Sequence, residues 1–265
     1  MRKYFKIGRT GPSSLLWPWA LIRNNLLPKP QVRILTYHRV GNNSHPLNVL
    51  PNHFEKQMRY LSEEYQVICL EDLYYWMIGK LKLPAKAVII TFDDGYDNNF
   101  TCAFPILQKH GLSATIFLTT GRLERKVKQD LMLTWDHIQE MSDYGIQFGV
   151  HTIDHSCLTR LSSEEAERQI RIPKTIIEDR ISKRVLFFCY PSGYYNQHIK
   201  YLVKMSGYLG ACSQIPGANV RSTDHYLLRR TEISRKDVTL FDFKKKLMGA
   251  FDPLHRINYR LNVNR

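Results

Sequence analysis

From residue 31 onward the apolar positions alternate between two spacings. Short runs rich in β-branched and aromatic residues occupy 32–37, 65–70, 87–91, 114–119, 146–150, 185–189, 208–212 and 228–233. Such runs are the pattern of buried strands. Between them apolar residues recur every third or fourth position, the spacing of one helix face. A helix is predicted to start at Pro51-Asn52, with Asn52 as cap and Glu55 following three residues on. Others are predicted over 71–78, over 98–110 closed by Gly111, and over 134–144 stopped by Gly145. Ser162-Ser163-Glu164-Glu165 reads as a capping box opening a helix toward Arg180, which Pro173 is predicted to kink. Helices over 196–205 and 241–248 complete the series. Strands alternating with helices predict a parallel sheet with right-handed crossovers, open or closed into a barrel. No repeat and no break in composition marks a second domain.

The polar residues that end three of these strands carry the candidate chemistry, because α/β folds place their sites where parallel strands stop. The run ending at Thr91 leads into Phe92-Asp93-Asp94-Gly95, two adjacent carboxylates before a residue that permits a sharp turn. Adjacent aspartates repel unless a cation or a shared proton separates their roles. The strand ending at Val150 leads into His151-Thr152-Ile153-Asp154-His155. Two histidines four apart converge on one ion if the segment coils by a helical turn. Tyr190-Pro191-Ser192-Gly193 follows the strand ending at Cys189. Two imidazoles and one carboxylate from another strand end form a ligand set with positions left for water and substrate. Zinc is the default ion for such a set, which can also hold iron, cobalt, nickel or manganese, and the spare aspartate would then lie beside an activated water.

Composition narrows the classes. The 265 residues are 43% hydrophobic, enough for a large core. Lys+Arg 38 against Asp+Glu 24 leaves a net charge of +14. The surplus is concentrated at the start: Arg2, Lys3, Lys6, Arg9, Arg23 and Lys29 stand in residues 1–30, which contain no acidic residue. Residues 15–22 add a short apolar run in which Trp17 and Trp19 flank Pro18; it is too short to span a bilayer. This head suits peripheral contact with an anionic membrane or, alternatively, packing against the barrel, and no nucleic-acid-binding motif accompanies the charge. It suits a place in the cytoplasm or at the inner membrane face, with export as the alternative. The five cysteines, at 69, 102, 157, 189 and 212, show no Cys-x-x-Cys pair, which argues against a disulfide scaffold or thiolate zinc site.

Taken in order, Thr91-Phe92-Asp93-Asp94-Gly95, His151-Thr152-Ile153-Asp154-His155 and Tyr190-Pro191-Ser192-Gly193 resemble the first three motifs of the polysaccharide deacetylases. That family is also known as the NodB homology domain or carbohydrate esterase family 4. The opening Leu35-Thr36-Tyr37-His38-Arg39-Val40 is similar to the start of many members. The resemblance implies a single-domain, distorted (β/α)7 barrel over residues 31–265, with its motif core at about 86–240, preceded by the basic segment 1–30. It implies metal-dependent removal of N-acetyl, less often O-acetyl, groups from a polysaccharide or glycan precursor. By the same resemblance Asp93 is the base; Asp94, His151 and His155 bind a divalent metal, expected to be zinc; and Tyr190, Pro191 and the backbone at Ser192 border the substrate and oxyanion. Three departures stand out. Cys189 occupies the place of the third motif's usual arginine, Ser192 that of its usual tyrosine after the proline, and the later Leu-x-His motif that supplies the general acid has no counterpart. His38 and His225 are the available substitutes. The departures keep open an alternative reading, a catalytically weak glycan-binding or assembly protein on the same barrel.

Overall fold

The computed structural model describes residues 31–254 together with Arg256 and Tyr259; the basic head and its Trp17-Pro18-Trp19 run lie outside the described residues. Seven parallel strands form the frame: β1 (Arg33–Tyr37), β2 (Ala87–Phe92), β3 (Thr115–Leu118), β4 (Gln147–Val150), β5 (Phe187–Cys189), β6 (Gly210–Pro216) and β7 (Leu228–Glu232). Neighbours around the sheet follow chain order, and β1 pairs with both β2 and β7, so the sheet closes into a barrel. Closure removes the unpaired sheet edges. Helices α1 (Pro51–Glu64), α2 (Leu70–Met77), α3 (Phe104–Lys109), α4 (Trp135–Tyr144), α5 (Ser163–Ile181), α6 (Gln197–Met205) and α7 (Leu240–Leu247) fill the crossovers and follow the last strand. The barrel is distorted by stagger. Gln66–Val67 forms a short strand on Ala87 and Val88 of β2, whereas β3 joins β2 only at Thr91 and Phe92.

Successive strand residues face opposite sides, and two hydrophobic clusters follow from that parity. One parity packs outward beneath the helices, with Leu35, Tyr37, Ile90, Phe92, Phe148, Val150 and Phe188 among its members. The other faces the barrel interior, with Ile34, Ile89, Phe117, Phe187, Cys212 and Leu228. Helix α2 belongs to the interior cluster: its Leu70, Leu73 and Trp76 join the inward residues and plug the end where the strands begin. The opposite end, where the strands stop, keeps its inward positions for polar side chains.

Local expectations met the structure unevenly. Helix α1 starts with Pro51 in its first turn behind Leu50, and Asn52 is not the cap. The expected 65–70 strand contracts to Gln66–Val67, because Cys69 already caps α2 in a reciprocal box with Asp72. The predicted 98–110 helix divides into a π-helical turn, Asn99–Ala103, followed by α3. Gly145 stops α4 in the left-handed region at φ 116°. Helix α5 continues through Pro173, while the Tyr208 hydroxyl donates to the Ile170 carbonyl at 2.8 Å. A short hairpin, Lys126–Val127 with Asp130–Leu131, had no clear alternation to announce it. No helix among the described residues is long and apolar enough to cross a membrane.

Candidate active site

The site is assembled from inward-facing positions at the strand ends. Thr91 faces inward, so Asp93, two residues on, does too. Its amide donates to the Tyr37 carbonyl at 3.0 Å, extending the β1–β2 ladder by one rung. Asp94 and Gly95 both adopt left-handed conformations, with φ 77° and 79°. Glycine accepts this freely, whereas aspartate tolerates it at some cost. The chain turns there and brings the second carboxylate back over the barrel mouth.

Asp94, His151 and His155 converge, with one potential ligand atom from each lying within 4.8 Å of the others. Asp94 Oδ1 is 3.7 Å from His151 Nε2 and 3.4 Å from His155 Nε2. It is buried without a hydrogen-bond partner, an arrangement that is costly unless something binds there. His151 Nδ1 lies 2.7 Å from the Cys189 carbonyl. Donation of its proton to that carbonyl leaves the Nε2 lone pair facing Asp94. Burial pulls His151 down to about 4, against the opposing pull of Asp93, so the imidazole is neutral at physiological pH, the form that ligates metals. The donor set therefore fits a divalent cation. The histidines do not meet through the helical turn that their spacing suggested. Thr152 and His155 are left-handed, at φ 68° and 66°. The turn is pinned by the His155 amide on Thr152 Oγ1 at 2.9 Å and by the Ile153 amide on Gln169 Oε1 of α5 at 2.9 Å.

Asp93 has different surroundings. Arg230 of β7 forks onto it, Nη1 to Oδ1 and Nη2 to Oδ2, each at 2.7 Å, with both side chains fully buried. Burial alone would raise the Asp93 carboxyl; the Arg230 charge and hydrogen bonds, then His151 and His38, override it and hold the group well below the usual carboxylate range. Cys189 fits beneath this pair. Its thiol is 3.7 Å from each Asp93 oxygen and accepts from Arg230 Nη2 at 3.1 Å. Cys189 is thus more than a core-filling side chain, since it also borders the ion pair. Cys189 and His151 form a second potential ligand group with Asp93, but Arg230 already occupies both of that carboxylate's oxygens.

Arg230 is the residue that sequence reasoning missed. It supplies from the last strand the guanidinium that the third motif lacks. Its signal was a charged residue on the same parity as Leu228 in a strand with both neighbours buried in the sheet. His38 reaches the site from β1, with Nε2 3.9 Å from Asp93 Oδ2 and a buried Nδ1 without a partner. Asn99 holds it by donating to the His38 carbonyl at 3.0 Å. His225 lies elsewhere: its ring packs edge-on to Tyr74 of the plug helix, and its carbonyl accepts from Ala211 at the start of β6. It is not brought to the site.

The third motif divides by parity. Tyr190 points outward, its ring packed against Phe188 and Tyr195, so its side chain belongs to the outer core instead of the mouth. Pro191 is buried, and Ser192 is exposed and left-handed at φ 54°. The next residue must be glycine, because a Cβ on Gly193 would lie 2.5 Å from Gln214 Cβ. One wall of the mouth is formed by Arg39, which lies 4.0 Å over the Tyr96 ring and pairs with Asp130 of the hairpin at 2.8 Å. Burial and then the Asp94 charge push the Tyr96 phenol up to about 12.

A family model for polysaccharide deacetylases matches residues 80–211. YxkH of Bacillus subtilis (strain 168), named as a polysaccharide deacetylase, is 30% identical over 202 residues, which are 76% of this chain and 71% of YxkH. The poly-beta-1,6-N-acetyl-D-glucosamine N-deacetylase of Staphylococcus aureus (strain MSSA476) is 27% identical over 197 residues, 69% of this chain and 67% of that protein. Among solved structures, BC0361, a polysaccharide deacetylase from Bacillus cereus, matches with a TM-score of 0.72 and 25% identity over 82% of this chain and 69% of its own. The Streptococcus pyogenes deacetylase PplD, solved in complex with acetate, shares the fold with a TM-score of 0.76 at 23% identity, covering 83% of this chain and 99% of its own. Arg230 lies beyond the segment that the family model matches.

Proposed function

The chain belongs to the polysaccharide deacetylase family, and from that membership we propose that it is a metal-dependent hydrolase removing N-acetyl groups from a glycan, with Asp93 as its base. The observation that carries this reading is the division between two adjacent aspartates. Asp93 is paired through both oxygens with Arg230, each oxygen keeping a further lone pair, whereas Asp94 offers a buried, unpartnered oxygen to two imidazoles. Asp94, His151 and His155 would hold a divalent cation, with zinc the ion that best suits a neutral-imidazole and carboxylate set. When bound, such a cation supplies Lewis acidity, polarising the acetyl carbonyl and easing deprotonation of water.

The remaining work falls to the chain's own groups. Asp93 takes the proton of the attacking water. Arg230 keeps that carboxylate ionised and fixes its plane, while Cys189 fills the space between them. The backbone at Ser192 turns at the end of β5 and is suited to donate an N–H to the developing oxyanion. His38, next to Asp93 and left with a free ring nitrogen, is the group placed to protonate the leaving amine. The substrate class is an N-acetylated polysaccharide, and poly-β-1,6-N-acetyl-D-glucosamine is the first to test given the named activity of the S. aureus relative.

The test is acetate release from N-acetylglucosamine oligomers, with zinc and after chelation. Asp93→Asn should retain the metal and lose roughly 100-fold or more in turnover. A metal-loaded parent that binds these glycans and releases no acetate would leave a glycan-binding barrel in place of an enzyme. Undiminished turnover in Asp93→Asn would place the base elsewhere.

A further inference from the structure

The end of the barrel opposite the mouth has a surface that the deacetylase reading does not use. Every crossover helix returns the chain to the end where strands begin, so helix C-termini and the loops before the strands gather there. Lys80 and Lys82 lie in the loop after the plug helix α2, Lys183 and Arg184 before β5, Lys204 before β6 and Arg221 before β7, and all are exposed. Arg221 lies 5.6 Å over the ring of Trp76, which fixes it against the plug. Lys80, Lys82 and Arg184 have no ion-pair partner among the described residues. Opposing acidic groups at this end include Glu63, Asp143, Asp179 and Glu71 of the plug helix, which borders the cavity between β3, β4 and β5, with Glu64 and Asp224 already paired to Lys86 and Lys200.

Large apolar side chains are exposed among these cations. Ile78 and Leu81 flank Lys80, Tyr144 ends α4 and Met205 ends α6. A cavity of about 400 Å³ opens between β3, β4 and β5 on this face, bordered by Ser142, Gln147, Lys183 and Arg184. The Ser142 hydroxyl is buried beside it without a partner. Finally, the chain enters β1 from this end, and the sequence before it carries six basic residues together with Trp17 and Trp19.

We propose that this plugged end docks on an anionic lipid surface, with the lysines and arginines over lipid phosphates, Ile78 and Leu81 inserted among the headgroups, and the mouth turned away from the membrane. Charge complementarity selects the partner, since exposed cations near an anionic bilayer each contribute to binding and interleaved apolar side chains add a second, weak anchor. Tryptophans in the adjoining head suit the same interface. This docking is independent of the assigned chemistry.

The experiment is co-sedimentation of the full chain with phosphatidylcholine vesicles containing or lacking phosphatidylglycerol. Binding is expected only with phosphatidylglycerol and should weaken in high salt. The triple variant Lys80→Glu, Lys82→Glu, Arg184→Glu should bind about 10-fold or more weakly, with unchanged thermal unfolding and unchanged hydrolysis of a small soluble substrate. Leu81→Ser should weaken binding on its own. Equal binding to both vesicles, or none to either, would overturn the proposal. So would a triple variant that binds like the parent, since the head alone would then account for attachment.

Discussion

Asp93 and Asp94 share a side chain and a peptide bond, yet their neighbours separate them. Arg230 is the decisive neighbour, and the fully buried pair makes a direct prediction. In Arg230→Met the carboxylate keeps its burial and loses its counter-charge. The variant should be destabilised by about 3–5 kcal/mol, the usual cost of orphaning a buried charge. The Asp93 pKa should rise, because burial then acts unopposed. In the proposed role Asp93 works as base only when ionised, so the acid limb of the kcat/KM profile should move to higher pH, with a lower plateau. Arg230→Lys keeps the charge but not the two-pronged geometry and should fall between parent and Met variant. A pH profile identical to the parent's in both variants would remove Arg230 from the positioning of the base. Of these relations, the adjacent carboxylates and the two histidines were legible in the sequence. The arginine was not, because its partner lies 137 positions away and only barrel closure brings β7 beside β1.

At the scale of elements, each site residue is positioned by strand parity and by what ends the strand. Strand β4 shows how little freedom this leaves. A Cβ on Gly149 would meet the Phe117 ring at 2.5 Å and the Phe187 carbonyl oxygen at 2.9 Å. The ring could rotate, but the carbonyl belongs to the neighbouring strand and cannot yield alone. Gly149→Ala should therefore cost about 1–3 kcal/mol in denaturant unfolding. It should also weaken metal binding, because His151 follows two residues on along the same face. An unchanged midpoint would mean that the barrel interior adjusts more easily than its packing suggests. The segment after β4 explains a misreading as well. Four-residue spacing suggested a helical turn, but Gln169 of α5 captures the Ile153 amide and directs the chain through left-handed residues instead. A side chain sixteen residues downstream is outside the reach of local pattern.

Across the whole molecule, the two ends of the barrel have separate tasks. Helix α2 closes one end with Leu70, Leu73 and Trp76, so water and substrate reach the inward polar residues only from the other. A ligand that binds only the folded barrel should stabilise all of it. Zinc at a hundredfold excess over its dissociation constant would contribute about 2.7 kcal/mol, or a rise in Tm of roughly 5–11 °C for a domain of this size. Calorimetry should find that rise in the parent and in Asp93→Asn, and lose it in Asp94→Asn. A rise that survives Asp94→Asn would locate the metal away from Asp94, His151 and His155.

The sequence by itself determined the strand–helix alternation, the parity that turns Asp93 and His151 inward, and the order of the three motifs. These depend on spacing along the chain, which tertiary contacts do not alter. Only the tertiary structure decided which partners meet: Arg230 with Asp93 in place of a third-motif arginine, His38 near that pair, His225 at the opposite end, and Tyr190 in the outer core. Such meetings depend on barrel closure and stagger, which bring distant strands to one level. Spacing within any single segment carries no record of that level.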